Sequence, residues 1–195
     1  MGCTALRSGL ASCLAAAFLL VPAVHVMAVE IIAHRGASHD APENTLAAFR
    51  LGWEQGADAV ELDLHQTKDG ALVAIHDADT RRTTGAAGRV AAHTLAELRA
   101  LDAGSWKGAR WAGEKLPTLD EALAAVPPDK RLFIEIKCGP EALPSLHRAI
   151  EASGKKPEQL VLIGFSYATL EKARKLFPRL PIYWLAGYEA DKRTG

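Results

Sequence analysis

The chain has 195 residues, 49% of them apolar and 24% charged, with 23 basic and 23 acidic side chains. That is enough for one domain with a real hydrophobic core. The even charge balance argues against a nucleic-acid footprint, which needs an excess or patch of Lys and Arg, and three cysteines are too few for a disulfide-dense miniprotein.

The N-terminus comes first in chain order. Residues 1–28 hold Arg7, no acidic side chain, an apolar run from Leu14 to Val24 and the small-residue ending Val26-Met27-Ala28. This is the layout of a secretory signal peptide, and the run is shorter than the roughly 20 residues of a membrane-spanning helix. The reading divides the chain into a leader, 1–28, and a domain, 29–195, that works in the periplasm or outside the cell. Leu10-Ala11-Ser12-Cys13 precedes the apolar run, whereas a lipid-modified cysteine should follow one. Cleavage leaves only Cys138, so the exported domain has no internal disulfide to form.

The domain alternates strand-like and helix-like segments. Glu30 to Ala33 is a short apolar strand, and Thr45 to Gln55 is a helix with Asn44 as its N-cap. Ala59 to His65 and Ala71 to Ile75 are strands joined by a Lys68-Asp69-Gly70 turn. Residues 78–92 are polar and read as loop. Thr94 to Leu101 opens with a Thr-x-x-Glu capping box, and a further helix starts at Pro117, with proline in its first positions. Arg131 to Lys137 is a strand, Leu143 to Ala152 a helix, Leu160 to Phe165 a buried strand, Thr169 to Leu176 a helix and Ile182 to Ala186 a last strand. Strands separated by helices imply βαβ units on a parallel sheet. The count reaches about five barrel-type strands plus one hairpin strand, short of the eight in a closed (β/α)8 barrel.

Four strand ends carry chemistry. His34 and Arg35 follow the first. Glu61 and Asp63 share one face of the second, because residues two apart in a strand point the same way. Paired carboxylates inside a sheet are costly to bury, and a divalent cation is the natural compensation; all-oxygen ligation favours Mg²⁺ or Ca²⁺ over Zn²⁺. A solvated, salt-bridged strand face is the alternative. His76 and Asp77 end the hairpin strand. Phe133, Glu135 and Lys137 share a face of the next main strand, where Glu135 completes a three-carboxylate set and Lys137 offers charge to an anion; an internal Glu135–Lys137 pair is the alternative. Two imidazoles beside carboxylates, His34 and His76, suit division of general acid and base work. His39, His65, His93 and His147 read as surface residues, with a site-facing His65 as the alternative because it continues the Glu61/Asp63 parity.

These segments together resemble the glycerophosphodiester phosphodiesterase family. The resemblance is carried by AHRGASHDAPENTLAAF (33–49), GADAVELDLHQTKDGALVAIHD (56–77), RRTTG (81–85), PTLDEAL (117–123) and IEIK (134–137), in order over about residues 30–187. It implies a (β/α)8 barrel of the TIM type with a small insertion after the second strand. It implies hydrolysis of a small glycerophosphodiester to an alcohol and glycerol 3-phosphate, the glycerol 2-hydroxyl being a plausible internal nucleophile. One divalent cation, Ca²⁺ or Mg²⁺, is implied. Carried onto this chain, Glu61, Asp63 and Glu135 match the metal ligands, His34 and His76 the acid/base pair, and Arg35 and Lys137 the phosphate contacts. Glu43 and Asp77 stand beside the site as supporting residues. The chain departs from the family pattern after about the fifth barrel strand, where further strands are expected, and this reads as a truncated barrel. The same residues leave two alternatives: a phospholipase D-like cyclising phosphodiesterase on the same barrel, or an inactive fragment or non-catalytic binding protein.

Overall fold

The computed structural model describes residues 29–187. The expected signal peptide, 1–28, lies outside the described residues. Five parallel strands follow one another across one sheet: β1 (Ile32–Ala33), β2 (Ala59–Gln66), β4 (Arg131–Ile136), β5 (Leu160–Gly164) and β6 (Ile182–Trp184). The sixth strand, β3 (Leu72–Ala74), pairs antiparallel with the far end of β2. Helices α1 (Leu46–Glu54), α4 (Leu119–Ala125), α5 (Leu143–Ser153) and α6 (Tyr167–Leu176) return the chain between parallel neighbours. Consecutive parallel strands in chain order, each crossing back through a helix, build the wall of a (β/α)8 barrel.

The period-2 pattern of the strands separates two faces. On the helix side, Val60, Leu62 and Leu64 of β2, Leu132, Ile134 and Ile136 of β4, and Leu160 and Leu162 of β5 form one core. Phe49 and Trp53 of α1, Leu119 and Leu123 of α4, Leu146 and Ile150 of α5, and Leu170 of α6 complete it. Each such side chain contributes about 1.5–3 kcal/mol when fully buried. On the inner side, Ala59, Phe133, Val161 and Ile163 make a second, smaller apolar cluster. One step further along the same faces stand Glu61, Asp63 and Glu135, with Asp63 directly opposite Glu135 in the register.

An insertion follows β2. Val73, Ile75, Val90, Leu98, Ala103 and Leu116 give it a core of its own. It includes α2 (Arg81–Thr84), a 3-10 turn at Val90–Ala92 and α3 (Leu95–Ala100). The expected loop over 78–92 is therefore partly helical: Gly85, at φ 74°, ends α2 in the left-handed conformation that favours glycine. The Thr94–Glu97 capping box forms as the sequence indicates.

Three helix starts differ from expectation, the simplest being α6, which begins at Tyr167 with Ser166 as its cap and not at Thr169. Thr45, not Asn44, caps α1: its hydroxyl accepts from the Ala48 N–H and donates to the Pro42 carbonyl, leaving Asn44 outside the helix. Pro117 precedes the first turn of α4 instead of entering it, because Thr118 and Glu121 satisfy the free N–H groups as a capping box. The Pro117 carbonyl instead accepts from the Ala74 N–H at 2.9 Å, tying β3 to α4.

Candidate active site

The first wall is a tight backbone turn past β1. Arg35 and Asn44 are the two non-glycine residues with positive φ among those described, at 57° and 56°. Such backbone costs about 1–3 kcal/mol for an ordinary residue and is kept where surrounding bonds demand it. Here the Arg35 N–H donates to Glu61 Oε2 at 2.8 Å, and the Arg35 carbonyl accepts from the Asn44 N–H at 3.1 Å. Gly36 must be glycine: a Cβ would lie 2.5 Å from the Ala48 carbonyl carbon, and φ is 77°. The turn is thereby pressed onto α1, with the Ala37 N–H donating to the Ala48 carbonyl at 2.9 Å.

Glu61, Asp63 and Glu135 are all buried, and one carboxylate oxygen of each lies within 4.8 Å of the others. Burial and the Asp63 charge push the Glu61 carboxyl up to about 8. Asn44 clamps Asp63 reciprocally: its amide donates to Asp63 Oδ2 at 2.8 Å, and its carbonyl oxygen accepts from the Asp63 N–H at 3.1 Å. Two cations approach the cluster. Arg35 Nε is 3.3 Å from Asp63 Oδ2, and Lys137 Nζ is 3.4 Å from Asp63 Oδ1 and 3.1 Å from Glu135 Oε1. Even so, Glu61 Oε1, Asp63 Oδ1 and Arg35 Nε have no aligned hydrogen-bond partner although they are buried. Unsatisfied, water-excluded carboxylate oxygens are expensive. Three hard oxygen donors with free lone pairs fit a divalent cation of the Mg²⁺ or Ca²⁺ kind.

The histidines flank this cluster. His34 Nε2 is 3.9 Å from Glu61 Oε2, and its side chain is largely exposed. Partial burial, then the Arg35 charge, lower its pKa, and the His76 charge acts on it in the same direction. His76 Nδ1 is 2.7 Å from Asp77 Oδ1. Glu43 Oε1 accepts from Arg35 Nη1 at 3.0 Å. The structure thus brings together His34, Arg35, Glu61, Asp63, Glu135 and Lys137, with Glu43 bonded to Arg35 and Asp77 to His76. His65 Nε2 lies 3.2 Å from the His76 carbonyl oxygen, so it braces the backbone beside the site. His39 is exposed as expected, whereas His93 is half-buried with Nδ1 2.9 Å from the Arg89 carbonyl oxygen, and His147 is half-buried with its ring tilted against buried Phe177.

Two residues of the site escape sequence reasoning. Asn44 was expected to cap a helix and instead grips Asp63. Arg82 lies in the expected loop and bonds both Glu43 and Asp77. The signal for Asn44 is the adjacent Thr45, a second cap candidate that frees it. For Arg82 the sequence offers the RRTTG segment but no partner.

Comparison with known proteins places this geometry. The model of the glycerophosphoryl diester phosphodiesterase family matches residues 34–195. A glycerophosphodiester phosphodiesterase of Caldanaerobacter subterraneus subsp. tengcongensis is 41% identical over 156 residues, 78% of this chain and 64% of that protein. One from Bacillus subtilis is 38% identical over 167 residues, 77% of this chain and 57% of that protein. The chain spans about three fifths of the length of these curated relatives. Among solved structures, an Oleispira antarctica phosphodiesterase in complex with the product sn-glycerol-3-phosphate superposes with TM-score 0.76 at 36% identity, covering 80% of this chain and 65% of that one. A glycerophosphodiester phosphodiesterase from Agrobacterium tumefaciens superposes with TM-score 0.73 at 33% identity, covering 80% and 66%. The expected barrel class holds: these neighbours are TIM barrels, and the parallel strands described above form the same wall.

Proposed function

The chain belongs to the glycerophosphoryl diester phosphodiesterase family, and from that premise we propose that it hydrolyses glycerophosphodiesters to an alcohol and glycerol 3-phosphate at the Glu61/Asp63/Glu135 cluster. One observation carries the reading: three buried carboxylates, two of them with unpartnered oxygens, cluster beside Arg35, Lys137 and His34. The product bound to the Oleispira antarctica relative supports the substrate class.

Glu61, Asp63 and Glu135 would hold one Mg²⁺ or Ca²⁺ ion, and a cation bound there neutralises their charge and polarises phosphoryl oxygens. The protein's own groups do the rest. Arg35 and Lys137 orient the phosphodiester and stabilise the negative charge that builds at phosphorus, the guanidinium by its planar fork. Partial burial and the Arg35 charge lower the pKa of His34, which suits it to accept a proton. Asp77 fixes the His76 ring through Nδ1, leaving Nε2 to exchange a proton with the reacting oxygen. Asn44 keeps Asp63 in place. The leader-like composition of residues 1–28 supports export to the periplasm or beyond.

Release of glycerol 3-phosphate from glycerophosphocholine tests the proposal. His34→Ala is expected to lower kcat by about 10²–10⁴-fold, the range for loss of a general acid or base, without moving the melting temperature. A chelator is expected to abolish turnover. Undiminished turnover under both treatments would refute the reading.

A further inference from the structure

Glu43 and Asp77 reach the site from separate segments, the turn before α1 and the end of the β3 hairpin, and one side chain joins them. Arg82 donates from Nη1 to Glu43 Oε2 at 2.8 Å, from Nη2 to Glu43 Oε1 at 2.8 Å, and from Nε to Asp77 Oδ2 at 2.7 Å. A longer bond runs from Nη2 to Asp77 Oδ1 at 3.3 Å. Each carboxylate also holds a group of the site. Glu43 Oε1 accepts from Arg35 Nη1, and Asp77 Oδ1 faces His76 Nδ1. We infer that Arg82 is a positioning residue that sets the placement of His76 against Arg35, acting through Asp77 and Glu43. The inference rests on the roles proposed above for His76 and Arg35.

First, the guanidinium fork uses all three nitrogens on two carboxylates, a geometry that a point charge such as lysine does not reproduce. Second, the backbone that carries it is anchored. Thr80 and Thr83 are buried, the Thr80 N–H donates to the Gly88 carbonyl at 2.9 Å, and the Val90 N–H donates to the Ala78 carbonyl at 3.0 Å. The left-handed turn at Gly85 closes that platform. Third, the Arg82 bond to Asp77 Oδ2 aims the other oxygen, Oδ1, at His76 Nδ1 2.7 Å away, and that contact selects the Nδ1–H tautomer. The Arg82 side chain is 44% exposed, and ion pairs that open to solvent contribute little to folding. Its loss should therefore register in catalysis and in the His76 ring, not in the melting temperature.

The test uses the full chain with Arg82→Ala, Arg82→Lys and Arg81→Ala. Arg81 is exposed, neighbours Arg82 and carries the same charge, and its side chain makes no hydrogen bond among the described residues. Arg82→Ala is expected to lower kcat on glycerophosphocholine by roughly 10–100-fold, the usual effect of losing a partner that orients reacting groups, with a smaller change in KM. Added guanidinium should restore part of it, Arg82→Lys should stay impaired, and Arg81→Ala should match the wild type. Independently of turnover, imidazole ¹H–¹⁵N correlations at pH 8 should show His76 as the Nδ1–H tautomer in the wild type and as a mixture in Arg82→Ala. A wild-type His76 pattern in Arg82→Ala overturns the inference. So does a kcat loss that follows a collapse in melting temperature and resists guanidinium. If the wild-type chain releases no glycerol 3-phosphate, the proposed activity fails, and the His76 tautomer still decides the role of Arg82.

Discussion

Two sets of side chains on the same inner sheet face behave in opposite ways. The lower layer, Ala59, Phe133, Val161 and Ile163, is apolar and closely packed. It stabilises the fold by roughly 25 cal/mol per Å² of apolar surface removed from water. The upper layer, Glu61, Asp63, Glu135 and Lys137, continues the inner face of β2 and β4, with Glu61 level with Phe133 and Glu135 level with Ile163, and it opposes folding, because its three carboxylates are buried and Glu61 Oε1 and Asp63 Oδ1 lack hydrogen-bond partners. The difference teaches where stability and chemistry part. Along β2 and β4 the inner face begins as core, at Ala59 and Phe133, and ends in charged residues, whereas on β5 it stays apolar through Ile163.

Three changes would sharpen or break this contrast. The largest effect belongs to the lower layer: Phe133→Ala is expected to cost about 3–5 kcal/mol of stability, seen as a lowered denaturation midpoint. A midpoint near wild type would mean the lower layer is not the support claimed for it. Next, Asn44→Ala should leave the fold near wild type but weaken divalent cation binding by about 10–100-fold, because Asp63 loses the clamp that aims it. Equal affinity in a calorimetric titration would show that Asn44 matters only for the turn.

The third change is one of pH and acts on the upper layer. Without a cation, Glu61 holds its proton up to about 8, against an ordinary value of 4.5. A raised carboxyl contributes stability that is fully present below the unfolded value and is lost as pH rises through the folded one. Thermal melts of the cation-free protein should therefore fall between pH 5 and 8 from this group. Proton and cation also compete for Glu61, so affinity should drop about fivefold from pH 8 to pH 7. Glu61→Gln should remove both dependences.

Much of this was legible in the residues alone. The alternation in AVELDLH and RLFIEIK placed Glu61 with Asp63 and Glu135 with Lys137, because strand periodicity fixes the face on which a side chain lies whatever the neighbours do. The Thr94–Glu97 box was legible for the same reason, since both partners lie within one turn. Asn44 was not: a local capping rule sees two adequate caps, and the bond that decides between them runs 19 residues on to Asp63. Arg82 was not either, because its bonds to Glu43 span 39 residues and its own segment is polar and short. Local rules find groups whose role is set by their own strand or turn; those set by distant partners need the folded chain.

Glu61, Asp63 and Glu135 together form the proposed cation seat. Calorimetric titration of the chelator-stripped, full chain with Ca²⁺ and with Mg²⁺ at pH 8, beside Asp63→Asn, is the direct measurement. One equivalent of at least one of these ions should bind the wild type with release of protons, and Asp63→Asn should bind it far more weakly. No binding of either ion to the wild type, or equal binding by Asp63→Asn, would contradict the assignment of Glu61, Asp63 and Glu135.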